Sequence, residues 1–295
     1  MKNTKKNVYE IVTEQVIEKI ESGQLAPWQK PWKSVGHRPA NLITKKPYKG
    51  INAFLLAFND YDSPYYLTYK QAKEKGGNVK KGEKANLVTY WQFLYFKNEK
   101  PLPSKMPQAE KERIADKKIP LLKYYNVFNV EQCEGVEYPT IEACSLNDNE
   151  KLAHCESIIE SMPNKPGLTF GGGRAFYRPA TDNVTMPKLE TFDGSSEYYS
   201  TFFHELAHST GHSSRLNRQG IEEIAAFGDA VYSKEELIAE FTACFLCGET
   251  GILQRTVENS SAYLKSWLKV LKSDSKMLVT AASQAEKAAN YILNK

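Results

Sequence analysis

The chain has 295 residues, of which 41% are apolar and 25% charged. Those proportions exclude global disorder, and the length allows roughly two domains of about 150 residues. No run reaches the roughly 18–20 apolar residues that span a bilayer, the Lys- and Asn-rich start has no apolar stretch behind it, and five cysteines do not pair evenly, so the reading is a cytoplasmic protein with no membrane partner.

The elements follow in chain order. Val8, Ile11, Val12, Val16 and Ile20 recur at helical spacing opposite Glu10, Glu14, Glu18 and Glu21, predicting an amphipathic helix with Gly23 as its stop. The prolines of Pro27-Trp28-Gln29-Lys30-Pro31-Trp32 forbid helix and make an extended segment that presents two indoles. An apolar stretch covers 53–58, a short helix 68–75 ends at Gly76-Gly77, and the aromatic and β-branched run 87–96 predicts a strand. Residues 97–118, rich in proline and charge, form an exposed excursion before a second strand over 122–130. Acidic, turn-rich residues follow as far as 150. In the second half a helix is expected near 150–161, a hairpin from 174–178 and 183–186, then helices over 197–210 and 234–247 and a long amphipathic one over 260–293. Gly171-Gly172-Gly173 matches neither glycine pattern of a nucleotide cradle and is a turn.

The net charge of +4 conceals an asymmetry: residues 1–146 hold 24 basic against 16 acidic groups, the remainder 15 against 19. Residues 30–84 alone hold 12 basic and 4 acidic groups. A solvated lysine-rich face would account for the charge by itself. The dense run Tyr61, Tyr65, Tyr66 and Tyr69 between lysines exceeds what a core needs, and cations tracking phosphates beside aromatic faces for stacking are the composition of a single-strand binder.

His204-Glu205-Leu206-Ala207-His208 has the H-E-x-x-H pattern within a predicted helix that Ser195 or Ser196 can cap and Gly211 can end. At i and i+4 the imidazoles share one face, suited to zinc, while Glu205 is placed to act as general base toward water. Ser214 stands where a third histidine would follow at six residues, and His212 is too early for that role; it is assigned behind the ligands or to substrate contact. Glu236-Leu237-Ile238-Ala239-Glu240 resembles the E-x-x-A-(D/E) segment of gluzincin-type peptidases, which implies Glu236 as third ligand and Glu240 as the acid that steadies a ligand histidine. Ser233 and Glu236 also have capping-box spacing; a Glu236 committed to that cap would leave Glu240 as the ligand. Cys244 and Cys247 are read as buried small hydrophobes, and Tyr199 and Tyr232 as packing residues that could also donate to an oxyanion.

Both halves together resemble the ArdC-type antirestriction proteins of conjugative plasmids. The matching stretches are GQLAPWQKPW (23–32), YKGIN (48–52), LTYKQAKEKGGNVKKG (67–82), VFNVEQ (127–132), AFYRPATDNVTMP (175–187), HELAHSTGHSSRLNR (204–218) and YSKEELIAE (232–240). The excursion 97–118 departs from the family pattern and no role is carried to it. The resemblance implies an α+β protein of two domains. Residues 1–135 would bind single-stranded DNA, 136–150 would link, and 151–295 would form a zincin-like metallopeptidase holding one Zn2+ per chain, with Mn2+ or Co2+ as substitutes. The DNA-binding set is Trp28, Lys30, Trp32, Lys45, Lys46, Tyr48, Lys49, Asn52, Tyr66, Tyr69, Lys70, Lys80 and Lys81. The peptide substrate would be a host restriction or DNA-processing protein, and the outcome protection of incoming DNA. The rival readings are a DNA-coating protein whose metal site is structural, and a peptidase whose basic half binds an acidic protein.

Overall fold

The computed structural model describes residues 6–22, 38–57, 59, 61–140, 146–218, 230–252 and 261–295. The architecture is α+β. In the first half run α1 (Val8–Glu21), β1 (Ala40–Asn41), α2 (Ile51–Ala57), β2 (Tyr65–Leu67), α3 (Tyr69–Glu74), β3 (Asn78–Val79), β4 (Asn86–Lys97), β5 (Lys100–Pro101), α4 (Gln108–Ile114), β6 (Lys117–Asn129) and β7 (Cys133–Glu134). In the second are α5 (Asp148–Ser161), β8 (Gly167–Phe170), β9 (Phe176–Arg178), β10 (Asn183–Met186), α6 (Ser195–Ser209), α7 (Ala230–Thr250), α8 (Ser261–Ser273) and α9 (Met277–Ile292).

The first half is built on a sheet of order β1-β2-β6-β4-β5, in which only the β1–β2 pair is parallel. Strands β4 and β6 pair from Asn86 opposite Val127 to Phe96 opposite Lys117, a long two-stranded ribbon. The excursion beyond it carries β5 and α4, and α4 buries no residue. Helix α3 is closed by a capping box between Thr68 and Gln71. Gly77 follows because a Cβ there would lie 2.4 Å from the Val136 side chain and 2.5 Å from the Glu134 carbonyl. The smaller sheet of the second half has the order β8-β10-β9, with the expected hairpin between β9 and β10.

The stretch 260–293 is two helices where amphipathic spacing predicts one. Asp274 accepts the backbone N–H of Lys276 at 2.8 Å, a local turn that competes with helix propagation, and the freed Ser275 carbonyl accepts the Thr13 hydroxyl at 2.8 Å. The start of α6 also differs: its N-cap is Gly194, which offers no side chain, while the Glu197 carboxylate accepts the Asp193 N–H at 2.9 Å. Helix α1 ends on Ser22; Gly23 lies outside the described residues.

The largest core draws on both halves of the chain. Val12, Val16 and Ile20 of α1 and Phe54 and Leu55 of α2 share it with Phe241, Phe245, Ala282 and Ala285 of α7 and α9. Phe54 is fully buried, stacked 4.3 Å from the Phe241 ring and tilted 4.7 Å from that of Phe245. Above it Arg38 lies 4.5 Å over the Phe245 ring and reaches Glu286 at 2.8 Å, whose other oxygen accepts Gly50 N–H. Phe54→Ala is expected to cost about 3–5 kcal/mol. Because the core is shared, calorimetry and aromatic circular dichroism should report one transition lowered as a unit, not loss of the first half alone.

A second tie anchors the loop after α6. Arg215, whose side chain is fully buried, donates to the Ser209 carbonyl at 2.7 Å, to the Asn164 carbonyl at 2.9 Å, and to both oxygens of Asp182 in the turn before β10. Burial pushes the Asp182 carboxyl up, but hydrogen bonds from Arg215 and Tyr177 outweigh it and leave the group below its ordinary 3.8. A depressed carboxyl stabilises the fold above its unfolded pKa and loses that contribution as pH falls through the folded value. In denaturant titrations the deficit of Asp182→Asn, chosen because Asn tolerates the φ of +44° there, should be full at neutral pH and shrink as pH falls from about 3.8 through the lower folded value. Arg215→Ala should lose about 3 kcal/mol at neutral pH.

Candidate metal centre

Helix α6 presents a broad apolar face, with Tyr198, Tyr199, Phe202, Phe203, Leu206 and Ala207 buried. Against it packs α7, buried on nearly every side through Leu237, Ile238, Phe241, Cys244, Phe245 and Cys247, so its polar side chains must find partners inside the protein. Cys244 and Cys247 are buried and form no disulfide, as expected of small hydrophobes. The Thr242 hydroxyl returns to the Ile238 carbonyl at 2.7 Å.

The helix pair brings His204, His208 and Glu236 together. The two Nε2 atoms are 3.1 Å apart; Glu236 Oε2 lies 3.5 Å from His204 Nε2, and its Oε1 lies 3.5 Å from His208 Nε2. One donor atom from each residue falls within 4.8 Å of the others. Ligands at about 2.0–2.1 Å from a tetrahedral ion are separated by about 3.3 Å, so these spacings suit a single zinc-sized cation. Helix α7 already runs from Ala230, which puts Ser233 inside it and removes the capping competition for Glu236. Glu240 is buried one turn on, outside this trio, and its charge acts on His204.

Glu205 is 9% exposed, and its charge acts on both imidazoles. Burial opposes a charge on His204, but Glu236, Glu240 and Glu205 outweigh it and hold the imidazole at about 10. Burial likewise opposes protonation of His208, and the charge of Glu236 with a hydrogen bond to Glu235 raises it nonetheless. The site is thus organised around positive charge.

Glu235 was missed by sequence reasoning. It is buried, its Oε1 lies 3.4 Å from His208 Nδ1, and Arg218 donates to both of its oxygens. Burial pushes its carboxyl up, yet His208 and Arg218 bring it below the ordinary range. Nothing in the spacing of Arg218 or in one glutamate preceding another distinguishes either residue in sequence. His212 is occupied within its own loop, where its Nδ1 is 2.8 Å from the Ser214 hydroxyl and takes the Ser214 N–H. Tyr199 donates to Glu156. The Tyr232 side chain lies outside the described residues.

The expected DNA-binding residues divide. Trp28, Lys30 and Trp32 lie outside the described residues. Tyr48 and Tyr66 are 8% and 2% exposed, packed edge to face at 6.4 Å, with the Tyr66 hydroxyl on the Leu56 carbonyl. This corrects the expectation that they offer faces to bases: β2 turns Tyr66 into the core. Asn52 fastens α2 to β4, donating to the Thr89 carbonyl and accepting the Thr89 N–H, both at 2.7 Å. Tyr69 is 52% exposed beside exposed Lys70, which pairs with Glu74 at 3.5 Å. Lys46 and Lys81 are exposed, as is Lys80, whose ammonium reaches the Glu131 carbonyl at 2.8 Å. Lys45, 4.4 Å over the Tyr65 ring, and Lys49 line an open cavity of about 380 Å³ between the first sheet and α9. The larger exposed aromatic surface is the β4–β6 ribbon, where Tyr90, Trp91, Phe93, Tyr124 and Tyr125 are exposed. Aromatics at consecutive positions, unlike strict alternation, were the available signal that both faces of β4 are open.

Comparison with known proteins agrees in both halves. Residues 6–128 match the N-terminal domain of anti-restriction factor ArdC, and residues 153–284 match a zincin-like metallopeptidase domain. The metal-free crystal structure of antirestriction ArdC from plasmid R388 superposes with a TM-score of 0.73 at 34% identity, covering 97% of each chain. Its Mn(II)-bound form also gives 0.73, at 33% identity and 98% coverage of each. In Escherichia coli, a DNA primase TraC is 36% identical over 98% of this chain, which spans only 20% of that protein. The uncharacterized protein y4eC of Sinorhizobium fredii is 29% identical, with 98% of this chain and 92% of that protein covered. With this likeness along its whole length, the chain belongs to the ArdC antirestriction family.

Proposed function

We propose that this protein binds single-stranded DNA through its basic, aromatic first half and hydrolyses a peptide bond at a zinc centre in its second, protecting incoming DNA from host restriction. The observation that carries the hydrolase reading is the convergence of His204, His208 and Glu236 beside Glu205, whose charge acts on both imidazoles. A bound ion supplies Lewis acidity and lowers the pKa of water toward about 7. His204, His208 and Glu236 would hold it, with Mn2+ or Co2+ able to substitute. Glu205 takes the proton of the attacking water and returns it to the departing amine. Glu240 adds negative charge behind His204. The Mn(II)-bound ArdC structure supports a divalent ion in this fold.

For DNA, the reading places stacking on Tyr69 and on the exposed rings of the β4–β6 ribbon, with Lys45, Lys46, Lys49, Lys70, Lys80 and Lys81 supplying charge beside them. Lys118, 4.0 Å over the Phe93 ring, and Lys123, paired across from Tyr90, interleave cations with the same rings. A host restriction or DNA-processing protein is the proposed substrate.

Two experiments test these assignments. Glu236→Ala should lose bound metal as measured on purified protein, whereas Glu205→Gln should retain metal and strand binding while peptide cleavage falls about 10²–10⁴-fold. Protection from restriction should disappear with Glu205→Gln; full protection would instead support a structural ion in a DNA-coating protein. For the ribbon, Trp91→Ala should weaken single-strand binding by about 1–3 kcal/mol without changing its salt dependence. Lys45→Ala combined with Lys49→Ala should flatten the slope of log affinity against log salt by about 0.7 for each phosphate no longer neutralised. Equal affinity for duplex and single strand would count against stacking.

A further inference from the structure

Arg218 touches both walls of the metal centre one residue away from its proposed ligands. On α6 it donates to the carbonyl of Ala207, next to His208, at 2.9 Å, and to the Thr210 hydroxyl. On α7 it grips both oxygens of Glu235, next to Glu236. The guanidinium side chain is 5% exposed and the Glu235 side chain 9%, so the pair is shielded from water and cannot rearrange without stranding a buried charge. Glu235 in turn faces His208 Nδ1 at 3.4 Å. The planar fork of arginine fixes both the distance and the orientation of what it holds, which a lysine ammonium would not.

We infer that Arg218 and Glu235 are positioning residues of the metal centre. Glu235 accepts a hydrogen bond from His208 Nδ1–H, which fixes the tautomer that leaves Nε2 free for the ion, and Arg218 braces α6 against α7 at the spacing the ligands require. The inference rests on the metal reading above. It adds that the carboxylate steadying His208 precedes the ligand Glu236 directly, while Glu240 acts on His204. Arg218 follows the turn in which Leu216 N–H returns to the Thr210 carbonyl and Arg218 N–H to the Gly211 carbonyl, so the chain after α6 is folded back to deliver the guanidinium.

The test uses the full chain stripped of metal and titrated with Zn2+ against a chromophoric chelator, beside Co2+ absorption spectra and thermal unfolding of the metal-free protein. Wild type, Arg218→Lys, Glu235→Gln, Glu235→Ala and Glu236→Ala are compared. Zn2+ affinity should fall about 10–100-fold in Arg218→Lys and Glu235→Gln, with a shifted Co2+ band, and much further in Glu236→Ala. Glu235→Gln, which can still accept from Nδ1–H, should lose less than Glu235→Ala. Affinity within twofold of wild type and an unchanged Co2+ band would overturn the inference, even where the metal-free melting temperature drops, because the pair would then be structural only. Loss in Glu235→Gln as complete as in Glu236→Ala would also overturn it, since Glu235 would itself be a ligand. A wild type that takes up no metal would remove the metal reading as well. Should either variant fail to fold, the other still decides the matter.

Discussion

Everything at the second half's centre depends on two helices meeting with acid on one side and imidazole on the other. Glu205, Glu235 and Glu240 are buried and Glu236 is mostly so, a concentration of negative charge that an apolar setting does not tolerate uncompensated. Arg218 neutralises one of the four, and the two imidazoles, held toward their charged form by the carboxylates, offset part of the rest. The same packing that buries α7 thereby gathers acids and imidazoles at one point, where the donor spacings suit a single divalent cation.

Such a cluster persists only if its walls cannot drift apart. The last carbonyls of α6 accept arginines as well as turn N–H groups: Arg218 joins Thr210 on Ala207, and Arg215 joins His212 on Ser209. One arginine braces the helix against α7 and the other against the turn before β10, so the segment after the motif ties three elements to the C-terminal end of the histidine helix. The H-E-x-x-H string sets two imidazoles on one helix face, and residues 209–218 secure the end of that helix.

The parts legible in the sequence are those that depend on local periodicity. The i, i+4 histidines, the α1 repeat and the β4 and β6 runs each state their geometry in a few residues, and the structure places them as elements at those positions. What is not legible depends on long-range partners. Tyr66 and Tyr69 look alike in a basic aromatic stretch, yet β2 sends one inward while the other, on α3, faces solvent. Asn52 reads as available to a strand and is consumed by Thr89, 37 residues away. The break between α8 and α9 turns on a single Asp274 side chain, which amphipathic spacing does not reveal. Glu235 and Arg218 meet only because the chain folds back after α6.

The shared core bears on how the two halves could act together. Where a flexible linker joins a binding module to an enzyme, the gain in effective concentration falls with linker length. Here Phe54 stacks into α7, the same helix that carries Glu236, and Arg38 is fixed to Glu286 on α9. A strand held on the first sheet would therefore stand at a set distance from the metal centre, determined by packing and not by chain length.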